Sequence, residues 1–398
     1  MALSFIIITH VKTVAINDGF LPEIIQSGFN VTIITDCYDE HLQLIEKYPN
    51  AIDLIKADVF NPMDIITKIH QHHLKPIAIF SNSDHLQTST AIVAEFYQLP
   101  GKSFQSTLIV KNKSMMRQTL KDKQLSQLWY QQVSNETELK KVISQIPFPC
   151  IAKPTFGVAS IDVEKIQDID QLNTYCKNIW QTNAKTCILL EAFIEGDIYS
   201  IETIGDGKNI HLLGGFKTNI TQPPYFIELG ANWISHFDQA IIKQLINILS
   251  QLNIKFGACH TEFSIVNNQV EIIEINYRSV GDYKEFLLNE LYSNYFKALI
   301  ALYLGKALPI LKLQYNYACI EYFPAINEGI LTQLPKADSY QHHYINYSVD
   351  HFKQLNTQVH LTHSNKDYLS AIRVYGHSDD LLFEKLNHLK KNLIWEIN

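Results

Sequence analysis

Arginine is nearly missing from this sequence. Of the 33 lysines and arginines in 398 residues only three are arginine, Arg117, Arg278 and Arg373. Nearly every positive charge is therefore a flexible ammonium, and each planar guanidinium is worth locating. A basic excess is missing too. The net charge is −7, with 40 acidic side chains, which argues against nucleic acid as the main partner because phosphate-backbone binding needs a strongly basic surface. Apolar runs such as Phe5–Ile8 fall far short of the roughly 20 residues of a membrane span. The N-terminus lacks the basic start, long apolar run and small-residue cleavage site of a signal peptide. These absences predict a soluble cytoplasmic protein with no membrane partner. The six cysteines are dispersed, with no Cys-x-x-Cys pair, so neither a zinc knuckle nor a disulfide framework is indicated. Glycine is missing from Thr9–Asn17, the turn after the first predicted strand. A nicotinamide or flavin fold would need Gly-x-Gly-x-x-Gly there to let the backbone approach a pyrophosphate, so an oxidoreductase of that kind is disfavoured.

What is present is a globular composition, 46% apolar and 18% charged, on a chain long enough for two to four domains. The first hundred residues alternate β-branched runs (Phe5–Thr9, Val31–Thr35, Ile52–Ala57, Ile77–Phe80) with helical patterns near Asp18–Gly28, Glu40–Tyr48, Met63–His73 and Thr88–Gln98. Such alternation predicts βαβ units and a parallel sheet. After the break at Leu99–Ser103, a basic helix is expected over Lys111–Lys121. A small α+β piece follows, with strands near Ser126–Val133 and Cys187–Leu190. A largely β region spans Asp197–Asn276, with a helix near Phe237–Leu252, and one long helix is expected over Lys284–Leu304.

Three segments carry chemistry. In the first, Glu262 and Glu274 are twelve positions apart around an Asn267-Asn268 turn, so Phe263–Val266 and Val270–Ile275 can pair as a hairpin. Side chains at i and i+2 share a strand face, which groups Glu274, Asn276 and Arg278. Two carboxylates, an amide oxygen and a guanidinium suit Mg²⁺ on a polyphosphate. The competing reading is a solvated strand face with a cross-strand ion pair. In the second, Lys153 ends an apolar strand and precedes the small-residue loop Thr155–Ser160, able to offer backbone N–H groups to phosphate, or simply a hairpin turn. The third is Leu189–Glu202, two strand-like runs, with Glu191-Ala192-Phe193-Ile194 in the first, joined by a turn at Gly196, or a plain β connection with acidic residues in solvent.

In this order the three segments resemble the ATP-grasp superfamily, in particular its carboxylate–amine ligases of the L-amino-acid ligase type, which also act in peptide and siderophore pathways. The resemblance covers nearly the whole chain. It implies an α/β and α+β multidomain ATP-grasp fold: a Rossmann-like pre-grasp domain (1–103), a linker helix and small lid (104–195), a central antiparallel-sheet domain (196–308) and a C-terminal α+β extension (309–398). It implies that Lys113, Lys153 and Ser160 meet the phosphates of ATP. Glu191, Ala192, Phe193 and Ile194 would form the adenine hinge. Glu262, Glu274 and Asn276 would hold Mg²⁺, two ions with Mn²⁺ able to substitute. Arg278 would contact the transferred phosphoryl group, with Lys153 the second catalytic cation. Where the family often has a ribose-binding acid this chain has Ile198, and Asp197 beside it is the expected substitute. Thr221–Gly230 looks like the segment leading to the substrate pocket, with Glu228 meeting an amino group, and His260 is expected to orient its neighbours on the Glu262 strand. The implied reaction joins a small carboxylate, an amino acid or polycarboxylate, to an amine through an acyl phosphate, releasing ADP and phosphate, in a protein expected to be a homodimer. The alternatives are a carboxylase or purine-type ligase on the same nucleotide site, or a non-catalytic nucleotide-binding protein, to which Ile198 and the glycine-poor loop point.

Overall fold

A computed structural model describes residues 2–157, 160–223, 225–342 and 344–398. The β-branched runs of the first hundred residues form a parallel sheet in the spatial order Ile52–Lys56, Val31–Thr35, Ala2–Ile8, Leu74–Phe80. Helices cover it, as a parallel sheet apolar on both faces requires. The expected helix over Asp18–Gly28 is instead a single π-helical turn, Ala15–Phe20, running into a short helix, Leu21–Gln26. Pro22, which has no N–H to donate, sits in the first turn of that helix.

The predicted basic helix is two helices. Phe104–Lys111 ends at Asn112, and Lys113–Asp122 begins there, with the Asn112 side chain accepting from the Ser114 and Met115 amides. An asparagine cap satisfies N–H groups left open at a helix start, and here it places Lys113 at the first helical position. The lid is a separate four-stranded sheet ordered Tyr130–Val133, Ile188–Ala192, Cys150–Pro154, Glu164–Ile166, with the helix Ile169–Thr182 among its covering elements. Its first strand starts at Tyr130 rather than Ser126.

The centre is a nine-stranded sheet ordered Gln269–Asn276, Phe256–Val266, Ile198–Asp206, Ile210–Ile220, Glu228–Ile234, Tyr317–Pro324, Tyr368–Gly376, Ile345–His351, Asp338–Tyr340. The sheet runs without a break across residue 308, and the helix Asp379–Asn392 packs on its C-terminal strands. The long helix expected over Lys284–Leu304 is broken into Lys284–Tyr292 and Tyr295–Tyr303, because Ser293 and Asn294 both take left-handed backbone, at φ +40° and +69°. The second of these helices ties the N-terminal sheet to the central one: Phe296 packs its ring 4.8 Å from Phe20, and Tyr303 packs against both Phe80 and Phe256. Among the described residues no helix is long and apolar enough to cross a membrane.

Candidate functional site

A cavity of about 210 Å³ lies between the lid and the central sheet, walled by Lys113, Lys153, Glu191, Glu262, Glu274 and Ser160 among others. Its floor is the expected hairpin. Glu262 pairs directly with Glu274 and His260 with Asn276, with a register shift just after Glu262. The two carboxylates are about a third exposed or less, and Asn276 is buried beside them. Burial alone would lower His260 and raise Glu262. Glu202 at 2.6 Å and Glu262 at 3.2 Å instead hold the imidazole protonated well above its ordinary range, and the His260 ring holds the Glu262 carboxyl well below its own. His260 thus sits between Glu202 and Glu262. Glu202, its second partner, was missed because it lies on another strand, Ile198–Asp206, whose register alone sets it beside His260. Two carboxylates open to the cleft, with the Asn276 amide buried beside them, are a hard-oxygen set that fits Mg²⁺.

The cations come from three elements. Lys113 Nζ lies 2.8 Å from Glu274 and donates to the Gly157 carbonyl at 3.0 Å, so it ties the hairpin to the lid loop. Of that loop, residues 158 and 159 lie outside the described residues, and Ser160 lines the cavity at φ +56°. Lys153 Nζ lies 2.6 Å from Glu191, whose other oxygen accepts from Arg117. Burial would push Glu191 up, but these two cations hold its carboxyl down to about 2, and burial pushes the Lys153 ammonium below its ordinary value. Arg117 also donates to the Ile272 carbonyl at 2.6 Å, bracing the hairpin from behind.

Phe193 and Ile194 line the cleft, but the amides of Ala192 and Phe193 already donate to the Trp129 and Pro149 carbonyls, and Ala192 is not part of the lining. Asp197 sits at the rim, held by Lys217 at 2.6 Å and Tyr199 at 3.3 Å, while Ile198 faces the cavity. Glu228 lines the cleft with its carboxylate 2.5 Å from Lys284, a buried lysine that sequence reasoning did not single out. Arg278 is about a fifth exposed and stands 4.0 Å from Asp84, which also pairs with Lys111. Asp84 follows the fourth strand of the N-terminal sheet, so that domain reaches Arg278. A ligand cleft outside the carboxyl ends of parallel strands is the signal that could have found it. Arg373, unexplained by the sequence, forms a two-pronged ion pair with Asp350 at 2.8 and 3.3 Å.

Residues 146–285 match the model of the ATP-grasp domain. The carbamoyl phosphate synthase large chain of Thermoanaerobacter sp. (strain X514) is 21% identical over 214 residues, 52% of this chain and 20% of that one. The chain thus matches about a fifth of the length of such curated relatives. The fold is similar over 100% of this chain and 99% of the other to L-amino acid ligase from Bacillus licheniformis, with a TM-score of 0.79 at 17% identity. It is also similar to phosphoribosylglycinamide synthetase from Anaerococcus prevotii, with a TM-score of 0.74 at 15% identity over 99% of this chain and 100% of the other. Both likenesses establish the ATP-grasp fold, as the order of sequence motifs implied.

Proposed function

We propose that this protein is an ATP-dependent, ADP-forming ligase that joins a small carboxylate to an amine. The observation that carries the reading is the convergence on one cleft of the Glu262–Glu274 pair, Lys113 and Lys153, with Asn276 buried at the end of the same hairpin strand and Arg278 two residues beyond it. ATP would lie with its adenine near Phe193 and Ile194 and its phosphates toward Lys113, Lys153 and Ser160. Glu262, Glu274 and Asn276 would hold two Mg²⁺ ions, which neutralise phosphate charge. A carboxylate oxygen attacks the γ-phosphorus, the bond to the β-phosphate oxygen breaks, and ADP leaves. The amine then attacks the acyl carbon, the bond to the phosphate oxygen breaks, and an amide and phosphate result. No side-chain nucleophile is needed; fixed cations placed where charge develops lower the barrier. Arg278, planar and always charged, suits the transferring phosphoryl oxygens. Lid closure over the loop that Lys113 holds would keep water from the acyl phosphate. The acid is an amino acid or small polycarboxylate, which suits peptide-like or siderophore assembly, and a homodimer is the expected assembly.

The test is ADP release with pooled amino acids and polycarboxylates as acids and amino acids as amines, followed by mass detection of the amide. Glu274→Ala and Arg278→Ala should keep the wild-type melting temperature within a few degrees and lose amide formation by about 100-fold or more. Full turnover in either variant would remove this assignment.

A further inference from the structure

One cluster of metal-binding side chains lies apart from the cleft, on the N-terminal sheet. His10 follows the strand Ala2–Ile8, and Asp36 and Cys37 follow its neighbour Val31–Thr35. The two strands are parallel, so all three residues stand at the carboxyl end of the sheet, where open α/β folds hold their ligands. His10 Nδ1 is 2.7 and 2.8 Å from the two oxygens of Asp36 and 3.5 Å from Cys37 Sγ. The ligand atoms of the three side chains all lie within 4.8 Å of one another. None of the three residues belongs to the wall of the cleft that Lys113 and Lys153 line.

The backbone builds this convergence. Consecutive side chains on a strand point to opposite faces, but the chain bends after Thr35. Cys37 has φ −94° and ψ +52°, and the bend turns both Asp36 and Cys37 to the same histidine. Thr35 ties the two strand ends together, since its hydroxyl accepts from the Cys37 amide at 3.1 Å and donates to the His10 carbonyl at 3.2 Å. Buried His41 donates to the same carbonyl at 2.9 Å, and the Phe60 ring stands edge-on to the His10 imidazole at 5.3 Å. The ligand-bearing backbone is therefore fixed from behind, while the His10 and Asp36 side chains each remain about a third exposed.

An ion pair accounts for His10 and Asp36 and leaves Cys37 without a role, because a thiol is a weak hydrogen-bonding group and that ring nitrogen already has a carboxylate. A metal ion accounts for all three. In a tetrahedral zinc site, with bonds of about 2.0–2.1 Å to nitrogen or oxygen and 2.3 Å to sulfur, neighbouring ligand atoms stand about 3.3–3.6 Å apart. The His10–Cys37 separation already matches that spacing, and Asp36 has to recede by roughly half an ångström. Thiolate and imidazole select zinc over magnesium or calcium, which prefer oxygen. Dispersed cysteines speak against a zinc knuckle, but not against a site that takes one cysteine from one strand end and a histidine from the next.

We propose that His10 Nδ1, an Asp36 oxygen and the Cys37 thiolate bind one Zn²⁺ ion. The Cys37 thiol gives its proton to solvent as the zinc–sulfur bond forms, and the imidazole binds through the Nδ1 lone pair with its proton on Nε2. Three protein ligands leave a fourth tetrahedral position, which takes water or an oxygen donor of a small ligand. The site is independent of the ligase reading, since Mg²⁺ and ATP would lie in the cleft.

The test uses the full chain, stripped of metal with a chelator and titrated with Co²⁺ in excess Mg²⁺. Cobalt bound to a thiolate absorbs in the near ultraviolet, a band that the oxygen ligands Glu262, Glu274 and Asn276 cannot produce. One equivalent of Co²⁺ should raise the band, and Zn²⁺ should bleach it. Cys37→Ser should abolish it, and Cys187→Ser, which changes the other cysteine that is not buried, should keep it. His10→Ala should weaken Zn²⁺ binding by more than the about 10–100-fold that follows loss of a group behind a ligand. Zn²⁺ should raise the melting temperature of the wild type and not that of Cys37→Ser, while the two metal-free proteins melt together and so are equally folded. Absence of a thiolate band, or a band that survives in Cys37→Ser, overturns the site, as does an unchanged Zn²⁺ affinity in His10→Ala.

Discussion

At the residue scale the site is organised around buried ion pairs that cross elements, and Glu191 is the hub. It joins Arg117 on a linker helix to Lys153 on a lid strand. Because its folded-state pKa, about 2, lies below the ordinary value of 4.5, its contribution to stability is fully present above pH 4.5 and is lost as the pH falls from 4.5 toward 2. Removing one partner of a buried pair is costly, about 3–5 kcal/mol, since Arg117 and Lys153 would be left facing each other. Glu191→Gln should therefore melt at a lower temperature at pH 7, and the gap to the wild type should shrink as the pH falls below 4.5. Melting curves between pH 3 and 8 measure this, and a constant gap would contradict it. Local spacing made the grouping of Glu262, Glu274 and Asn276 legible, because the period of a strand and a single turn determine which of them meet. Arg278, expected on the same strand face, instead lies two residues past the strand, which ends at Asn276, and turns toward Asp84. Glu202, Lys284 and Asp84 were not legible. Each reaches the site through pairing or packing between elements far apart in sequence, which spacing does not encode.

At the scale of elements, the βαβ series of the first hundred residues and the hairpin over Phe256–Asn276 could be read from hydrophobic pattern. The breaks inside helices could not. Ser293-Asn294 and Asn112 interrupt patterns that remain apolar or basic on both sides, and only the packing of each half on a different neighbour shows why the chain turns there. Asn112 is the more consequential break. Its side chain caps the helix that opens with Lys113, so the cap fixes where a lysine of the cleft wall begins. Asn112→Ala should cost about 1 kcal/mol and raise the KM for ATP more than it lowers kcat. Asn112→Asp should keep both near wild type. Steady-state kinetics with both variants would check this, and equal loss in the two would mean that the cap itself is not what matters.

At the scale of the molecule, the shared sheet has a practical consequence. The strand Glu228–Ile234, which opens with Glu228 in the cleft wall, bonds on one side to Tyr317–Pro324, a strand from beyond residue 308. A fragment ending at residue 308 would keep the whole ATP-grasp match and would lay bare a row of unpaired amides and carbonyls along that strand. Exposed edges of this kind recruit other chains. Such a fragment should elute as aggregates in size-exclusion chromatography, where the full chain gives a discrete peak; a monomeric, ATP-binding fragment would show that the edge is tolerated. The same connection sets a limit on recombination. Exchanging only the central residues with those of a protein of similar fold would leave a seam through hydrogen-bonded strands, so the exchange unit that respects the backbone ladder runs from Ile198 to the C-terminal strands.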